Sequence, residues 1–282
     1  MTTEPKANPM RILNLGAGVQ STTLYLMAVR GEIAIDCAIF ADLKEEPAPV
    51  YRHLEWMQSL NGPPIHVVSA GRLGDDLKHG RNSTGQRFAS IPAWTAWREG
   101  EREGVIRRQC TSEYKIDPIE KFIRRELFGL EPGQRFPSDT NVTQLIGISM
   151  DEAGRALRIQ ANARWWATME FPLIQKSMTR RDCVAWLKGF GIPHEVPRSA
   201  CVFCPYKRDS EWVWLRKNDP QGFARAIEID EALRADGVVM NRNINQKLYI
   251  HQSCIPLREV KFTDDEKGQS AFNFECEGGC AL

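Results

Sequence analysis

The chain reads as an α/β protein built on a doubly wound parallel sheet, with a smaller, mainly helical, cysteine-containing region toward its carboxyl end. Three observations predict this. Short apolar runs alternate with amphipathic stretches between Arg11 and Met150; the first run ends in a glycine turn that opens a helix; and past about residue 175 the alternation gives way to helical spacing. At 282 residues the chain is long enough for one large domain or two, taking roughly 150 residues per domain. The change of pattern places the sheet domain over residues 1–174 and the helical region over 175–282.

The elements follow in order. Arg11 to Leu15 is a short apolar strand, residues 21–30 are a helix stopped by Gly31, and Ile33 to Phe40 is a second strand that finishes in Ala41-Asp42. Residues 50–60 suit a second helix, Ile65 to Val68 a third strand, and Thr143 to Met150 a fourth strand ending in Asp151-Glu152. Strands of this kind, separated by helices, predict a parallel sheet covered on both faces, whose ligands sit beyond the carboxyl ends of the strands. Residues 98–125 interleave basic with acidic side chains and read as a solvated helix surface, and Gly129 to Asp139 reads as an exposed loop. Thr179-Arg-Arg-Asp182 is a capping-box start to a helix that Gly189, Gly191 and Pro193 bring to a stop, and Asp219-Pro220 opens another helix running to Leu233.

Composition excludes several classes. With 42% hydrophobic and 26% charged residues, and no apolar run near the ~20 residues of a membrane span, the chain reads as soluble with no membrane partner. Its first ten residues hold no apolar signal core, which predicts a cytoplasmic protein. Lys plus Arg (37) balances Asp plus Glu (36), so coating nucleic acid through net charge is excluded, although a local patch is not.

The stretch Gly16-Ala17-Gly18-Val19-Gln20-Ser21-Thr22 carries the first chemistry. Two glycines are expected to supply positive φ and open space, while Ser21 and Thr22 place hydroxyls where the first helical amides favour negative charge. This is the pattern of a phosphate-binding loop, without the Gly-Lys-Ser/Thr ending of a Walker loop or the three-glycine dinucleotide pattern. A plain strand-to-helix connection uses the same residues, so the loop alone does not decide. The eight cysteines, in a chain without an export signal, point to metal or redox chemistry rather than a disulfide framework. Cys37 and Cys183 share spacing with apolar neighbours and read as core, and Cys254 has no partner at ligand spacing. Cys201 and Cys204, three residues apart and followed by Pro205, can reach one metal centre; Cys110 lies beside Arg107 and Arg108, and Cys276 and Cys280 lie near the end. An iron-sulfur cluster, a structural zinc and a redox-active thiol pair are all consistent with this set.

The loop resembles that of the PP-loop ATP pyrophosphatases, especially the Gly-Gly-Gly-Val-Gln-Ser-Thr variant of the phosphoadenosine phosphosulfate (PAPS) reductase-like branch. Ala17 replaces the middle glycine, and Gln20 stands where many relatives carry Asp. The resemblance continues in Phe40-Ala-Asp42 with Glu45-Glu46-Pro47, in Arg108-Gln-Cys-Thr-Ser-Glu-Tyr-Lys115 with Asp117-Pro-Ile119, in Gly147-Ile-Ser-Met-Asp-Glu-Ala-Gly-Arg155, and in Pro172-Leu173 through Met178-Thr179 to Cys201-Val-Phe-Cys-Pro205. It covers most of residues 11–210 and extends to enzymes of DNA phosphorothioation and tRNA thiolation.

What the resemblance implies is a sheet of the PP-loop type with an adenine nucleotide, ATP or PAPS, whose phosphates lie at Gly16, Ala17, Gly18, Gln20, Ser21 and Thr22. Lys115 or Arg155 would offset charge on a departing pyrophosphate, Asp42 would contact the nucleoside or a magnesium ion, and Asp151 or Glu152 would bind magnesium or orient substrate. Cys110, Cys201 and Cys204, with Cys276 as a weaker fourth, would ligate an iron-sulfur cluster, zinc being the alternative. Three functions follow as expectations: adenylating sulfur transfer to a nucleic-acid or small-molecule acceptor; reduction of PAPS or adenosine phosphosulfate by a tail cysteine such as Cys280; or a nucleotide- or nucleic-acid-binding module stapled by zinc, with Trp212 and Trp214 near Lys207 and Arg208 as base-stacking candidates. A sulfur- or thiol-donor protein is the implied partner of either enzyme, and a homodimer is compatible with the chain.

Overall fold

The computed structural model describes residues 9–80, 91–106, 108–235 and 245–262. Five strands form an all-parallel sheet: β1 (Met10–Leu15), β2 (Cys37–Ala41), β3 (Ile65–Val68), β6 (Val142–Ile146) and β7 (Ala167–Glu170), in the order β3-β2-β1-β6-β7. The chain winds outward from β1 through β2 to β3, then returns to the other side of β1 with β6. The reversal between β1 and β6 creates the crevice in which α/β sheets seat ligands. β7, at the edge, has no counterpart among the strands expected from sequence.

Helices cover both faces, as a sheet this apolar requires. On one face α1 (Val19–Val29), α2 (Ala48–Gln58) and α7 (Arg180–Phe190) pack Leu24, Leu54, Met57, Cys183 and Leu187 over Leu13, Ala38, Phe40 and Leu145. On the other, α4 (Asp117–Phe122), between wider π-helical turns over Ser112–Ile116 and Ile123–Leu127, brings Ile119 and Ile123 onto Ile12, Ile39 and Val142. Leu130 and Phe136 join this core, so the stretch expected as an exposed loop is irregular but pinned by two buried side chains. α5 (Ala153–Ala161) covers β6 and β7 through Ala156 and Ile159.

A second core lies beside the sheet. It gathers Leu73 and Leu77 of α3 (Leu73–His79), Trp212 and Leu215 of α8 (Asp209–Asn218), and Ala226 and Ile229 of α9 (Pro220–Ala232), with Leu43, Tyr114, Val202 and Phe203. A three-stranded antiparallel sheet, β5 (Gly104–Val105), β4 (Trp94–Ala96) and β8 (Lys247–Tyr249), flanks it and was not expected from sequence. The short α6 (Pro172–Gln175) completes the described elements. Among the described residues no helix is long and apolar enough to cross a membrane.

Several boundaries move for identifiable reasons. α1 begins at Val19 because Gly18 is its N-cap. β2 begins at Cys37 rather than Ile33, since Asp36 diverts the ladder by taking the Arg11 N–H on its carboxylate at 2.6 Å while donating its own N–H to Arg11 O at 2.8 Å. β6 stops at Ile146 because the Ile148 N–H turns back to Ile146 O at 2.9 Å. The capping box of α7 forms as expected, with Thr179 Oγ1 accepting from Asp182 N–H and Gly191 closing the helix at φ +85°.

Candidate functional site

Leu15 ends β1 at the centre of the sheet, and the chain reverses into α1 within three residues. The turn uses an unexpected residue. Ala17, fully buried, carries the positive φ of +59°, whereas Gly18 is extended at φ −97° and Gly16 is not left-handed. This corrects the conformational role expected of the glycines: they supply space, and an alanine accepts a left-handed strain of about 1 kcal/mol. The Gly16 N–H donates to Ser21 Oγ at 3.2 Å, and Ser21 Oγ donates to Gly18 O at 3.3 Å, so the turn is locked by the first hydroxyl of α1. Gly18 provides no side-chain cap and the first turn of α1 carries no acidic residue, which leaves buried helix amides available to an anion.

Gln20 and Thr22 face elsewhere. The Gln20 amide donates to Ser149 Oγ at 3.0 Å and to Glu152 Oε2 at 2.6 Å, and Glu152 also pairs with Arg155. These three residues lash the turn after β6 to the start of α1. The Thr22 hydroxyl meets His53 Nε2 at 2.9 Å in the interior and its N–H donates to Gly18 O at 2.9 Å, correcting the expectation that Thr22 presents a donor to phosphate. Asp151 is exposed and accepts the Arg180 N–H at 3.1 Å, so it serves the amino end of α7. Gly147 carries the contact between β6 and α1: a Cβ there would stand 2.8 Å from Ser21 N and 3.0 Å from Ser21 Cα.

Beside the loop a small cavity opens between Asn14 to Gly16 and Phe40 to Ala41, closed by Lys115 and Ile119. Among the described residues Asn14 Oδ1 is buried there without a hydrogen-bond partner, its amide being committed to Gln144 at 3.0 Å. Asp42, just past β2, accepts from Lys44 N–H at 2.7 Å and from Tyr51 OH at 2.9 Å. Lys115 Nζ lies 3.7 Å from Oε1 of Glu46, a carboxylate 5% exposed whose two oxygens accept no hydrogen bond. Burial pushes the Glu46 carboxyl above its usual range against the pull of Lys115 and Lys207. In the sequence Glu46 is marked only by its place in an acidic pair before Pro47, just past an apolar strand.

The thiol segment adjoins both loops. Ser199 Cβ lies 3.6 Å from the position a Cβ would take on Gly18, and the Val202 N–H donates to Glu45 O at 2.7 Å. Between these anchors the Cys204 N–H donates to Cys201 O at 3.0 Å, turning the two sulfurs toward each other. The Cys201 thiol donates to Cys204, which, with Lys207 and Arg198 nearby, holds Cys204 below the usual thiol range and pushes Cys201 above it. Cys110 lies within electrostatic reach of both sulfurs and is pushed up to about 11, mainly by burial. Three expected ligands are thus neighbours, yet among the described residues no group of three or more His, Cys, Asp or Glu side chains stands at metal-binding geometry. Cys276 and Cys280 lie outside the described residues.

The other sequence readings resolve simply. Cys37 and Cys183 are buried in the sheet cores, and Cys254 is fully buried with its thiol 3.8 Å from Thr95 O. Trp212 is a core side chain, whereas Trp214 is 40% exposed. Comparison of the chain with protein-family models, with curated proteins and with solved structures finds no match.

Proposed function

We propose that this chain is a PP-loop-type enzyme that binds ATP across the β1–β6 crevice and activates an acceptor for sulfur transfer by adenylation. The observation that carries this reading is the seating of the Cys201–Cys204 turn against both sheet-edge loops, through Ser199 at Gly18 and Val202 at Glu45. In this reading phosphate chemistry and sulfur chemistry need to be adjacent, and a thiol pair packed against the β1–α1 loop meets that need.

In this reading the uncapped amides of α1 hold the phosphoryl groups, and the Ser21 hydroxyl fixes the turn that presents them. An acceptor oxygen attacks the α-phosphorus, pyrophosphate leaves, and the acceptor carbon then loses AMP to a sulfur nucleophile. Lys115, on the cavity wall, offsets the negative charge that grows on the departing pyrophosphate. Asp42, past the end of β2, would meet a magnesium ion or the nucleoside through Oδ2, its Oδ1 accepting from Lys44 N–H and Tyr51 OH.

The donor set suits a thiophilic centre: Cys110, Cys201 and Cys204 are electrostatically coupled, and the orphaned Glu46 carboxylate lies beside them. An iron-sulfur cluster bound there supplies a sulfur-binding iron; zinc would supply only a staple. The chain's own contribution is to favour the Cys204 thiolate through the Cys201 hydrogen bond and the nearby Lys207 and Arg198.

The test is calorimetry of anaerobically purified protein with ATP and with PAPS, followed by assays for pyrophosphate and for sulfite, and by iron, sulfide and zinc analysis. ATP binding with pyrophosphate release supports adenylation. PAPS binding with sulfite release assigns the protein instead to sulfonucleotide reduction, and binding of neither nucleotide overturns both enzymatic readings.

A further inference from the structure

Ser199 is 2% exposed, and its hydroxyl has no hydrogen-bond partner among the described residues. A buried hydroxyl left unpaired costs free energy, and in native folds such a group commonly waits for a ligand or an ordered water. Its position names the kind of ligand. Ser199 Cβ lies 3.6 Å, and Ser199 N 3.7 Å, from the point a Cβ would occupy on Gly18, the N-cap of the eleven-residue α1. That helix end carries no side-chain cap and no acidic residue, so Ser199 lies beside a positively polarised helix terminus. The group with acceptor oxygens that fits such a place is a phosphoryl group.

Relocating Ser199 to find another partner would disturb a tied backbone. Ala200 O accepts from Lys207 Nζ at 3.4 Å, the Val202 N–H donates to Glu45 O at 2.7 Å, and the Cys204 N–H donates to Cys201 O at 3.0 Å. A single residue, Ala200, separates Ser199 from the first thiol of that turn.

From these contacts we infer that Ser199 is a phosphate-binding residue contributed by the cysteine segment: its Oγ–H donates to a phosphoryl oxygen of the nucleotide seated at Gly18, so that nucleotide occupancy braces the Cys201–Cys204 turn. The inference rests on the reading that the loop takes an adenine nucleotide. It adds a residue from the far end of the sequence to a loop otherwise assembled from residues 16–21, and it gives the two halves of the site a direct mechanical link.

The experiment uses the full chain, purified anaerobically, as wild type and as Ser199→Ala. ATP, PAPS and phosphate-free adenosine are titrated by calorimetry, and alkylation of Cys201 and Cys204 by iodoacetamide is followed by mass spectrometry with and without nucleotide. The expected result is an affinity for whichever nucleotide binds that falls about tenfold in the variant, adenosine binding unchanged, and loss of the protection that nucleotide gives the two thiols. The nucleotide-free variant is expected to melt no lower than wild type, because the hydroxyl removed has no partner to lose. Wild-type affinity and protection in Ser199→Ala overturn the inference while leaving the nucleotide reading intact, and a lower melting temperature overturns it by assigning the hydroxyl a structural role. If wild type binds neither ATP nor PAPS, the reading beneath the inference falls and the inference with it.

Discussion

Side chains that look interchangeable along the loop between β1 and α1 do separate jobs. Ser21 locks the turn, Gln20 holds the β6 turn, and Thr22 begins a chain that leads out to the surface: Thr22 Oγ1 to His53 Nε2 at 2.9 Å, then His53 Nδ1 to His194 Nε2 at 2.8 Å. His53 is fully buried, and burial with the neighbouring His194 lowers its pKa to about 3 from an ordinary 6.5. The folded state therefore keeps this imidazole neutral while the unfolded state takes up a proton below about pH 6.5, so stability is intact above that pH and is lost as the pH falls toward 3. The slope for one such group approaches about 1.4 kcal/mol per pH unit. His194, also lowered by burial, adds in the same direction. Denaturant unfolding at pH 7, 6 and 5 should show wild type losing stability steadily, and His53→Gln, whatever its stability at pH 7, should show a shallower loss. Parallel slopes would remove His53 as the cause. Neither the pairing nor the pKa was legible in sequence, because His53 and His194 are 141 residues apart.

Elements meet here with little tolerance, and the tightest meeting is between the end of β6 and the start of α1. A methyl group at Gly147 would lie 2.8 Å from Ser21 N, 3.0 Å from Ser21 Cα and 3.1 Å from Gln20 C. These are backbone atoms, so no rotamer change relieves the clash; the helix has to shift. Gly147→Ala is expected to cost about 1–3 kcal/mol in denaturant unfolding, in the range of an overpacked core, and to abolish nucleotide binding, since the amides of α1 move off their seat. A variant with wild-type stability would show that the two elements are less closely set. Elements carried by local signals were legible in the sequence: β1 with its turn, β3, the capping box of α7, and α9 opening on Asp219-Pro220. Elements defined by distant pairing were not. β7 is an edge strand in which Thr168 and Glu170 face outward between Ala167 and Met169, and β4, β5 and β8 are two or three residues long, too short for a period to register. The fit at Gly147 was equally hidden, because nothing local tells a glycine that ends a strand from one that admits a helix.

At the scale of the whole molecule the site depends on how the second core is fastened to the sheet. The segments that build it carry recognisable motifs, but that Ser199 meets Gly18 and Val202 meets Glu45 follows only from the folded chain. Glu45 is the main fastening. Its carboxylate, 1% exposed, receives Arg225 Nη2 at 2.8 Å and Nε at 3.3 Å from α9, 180 residues away, and Arg72 Nε at 3.2 Å, while its carbonyl takes the Val202 N–H. Such a carboxylate contributes little net stability while paired, yet removing it takes a buried partner from Arg225, 14% exposed, which keeps Asp75 and Glu228. Glu45→Ala is expected to cost about 1–3 kcal/mol in denaturant unfolding, and Glu45→Ala with Arg225→Ala distinctly less than the sum of the two single changes. The thiols supply the second readout. With α9 and the loop after β2 uncoupled, the 199–204 turn loses one wall, so Cys201 and Cys204 should react with iodoacetamide faster than in wild type under conditions where both proteins remain folded. Additive energies with unchanged thiol reactivity would mean that the second core holds the cysteine turn by itself, and that the phosphate loop and the thiols are adjacent without being joined.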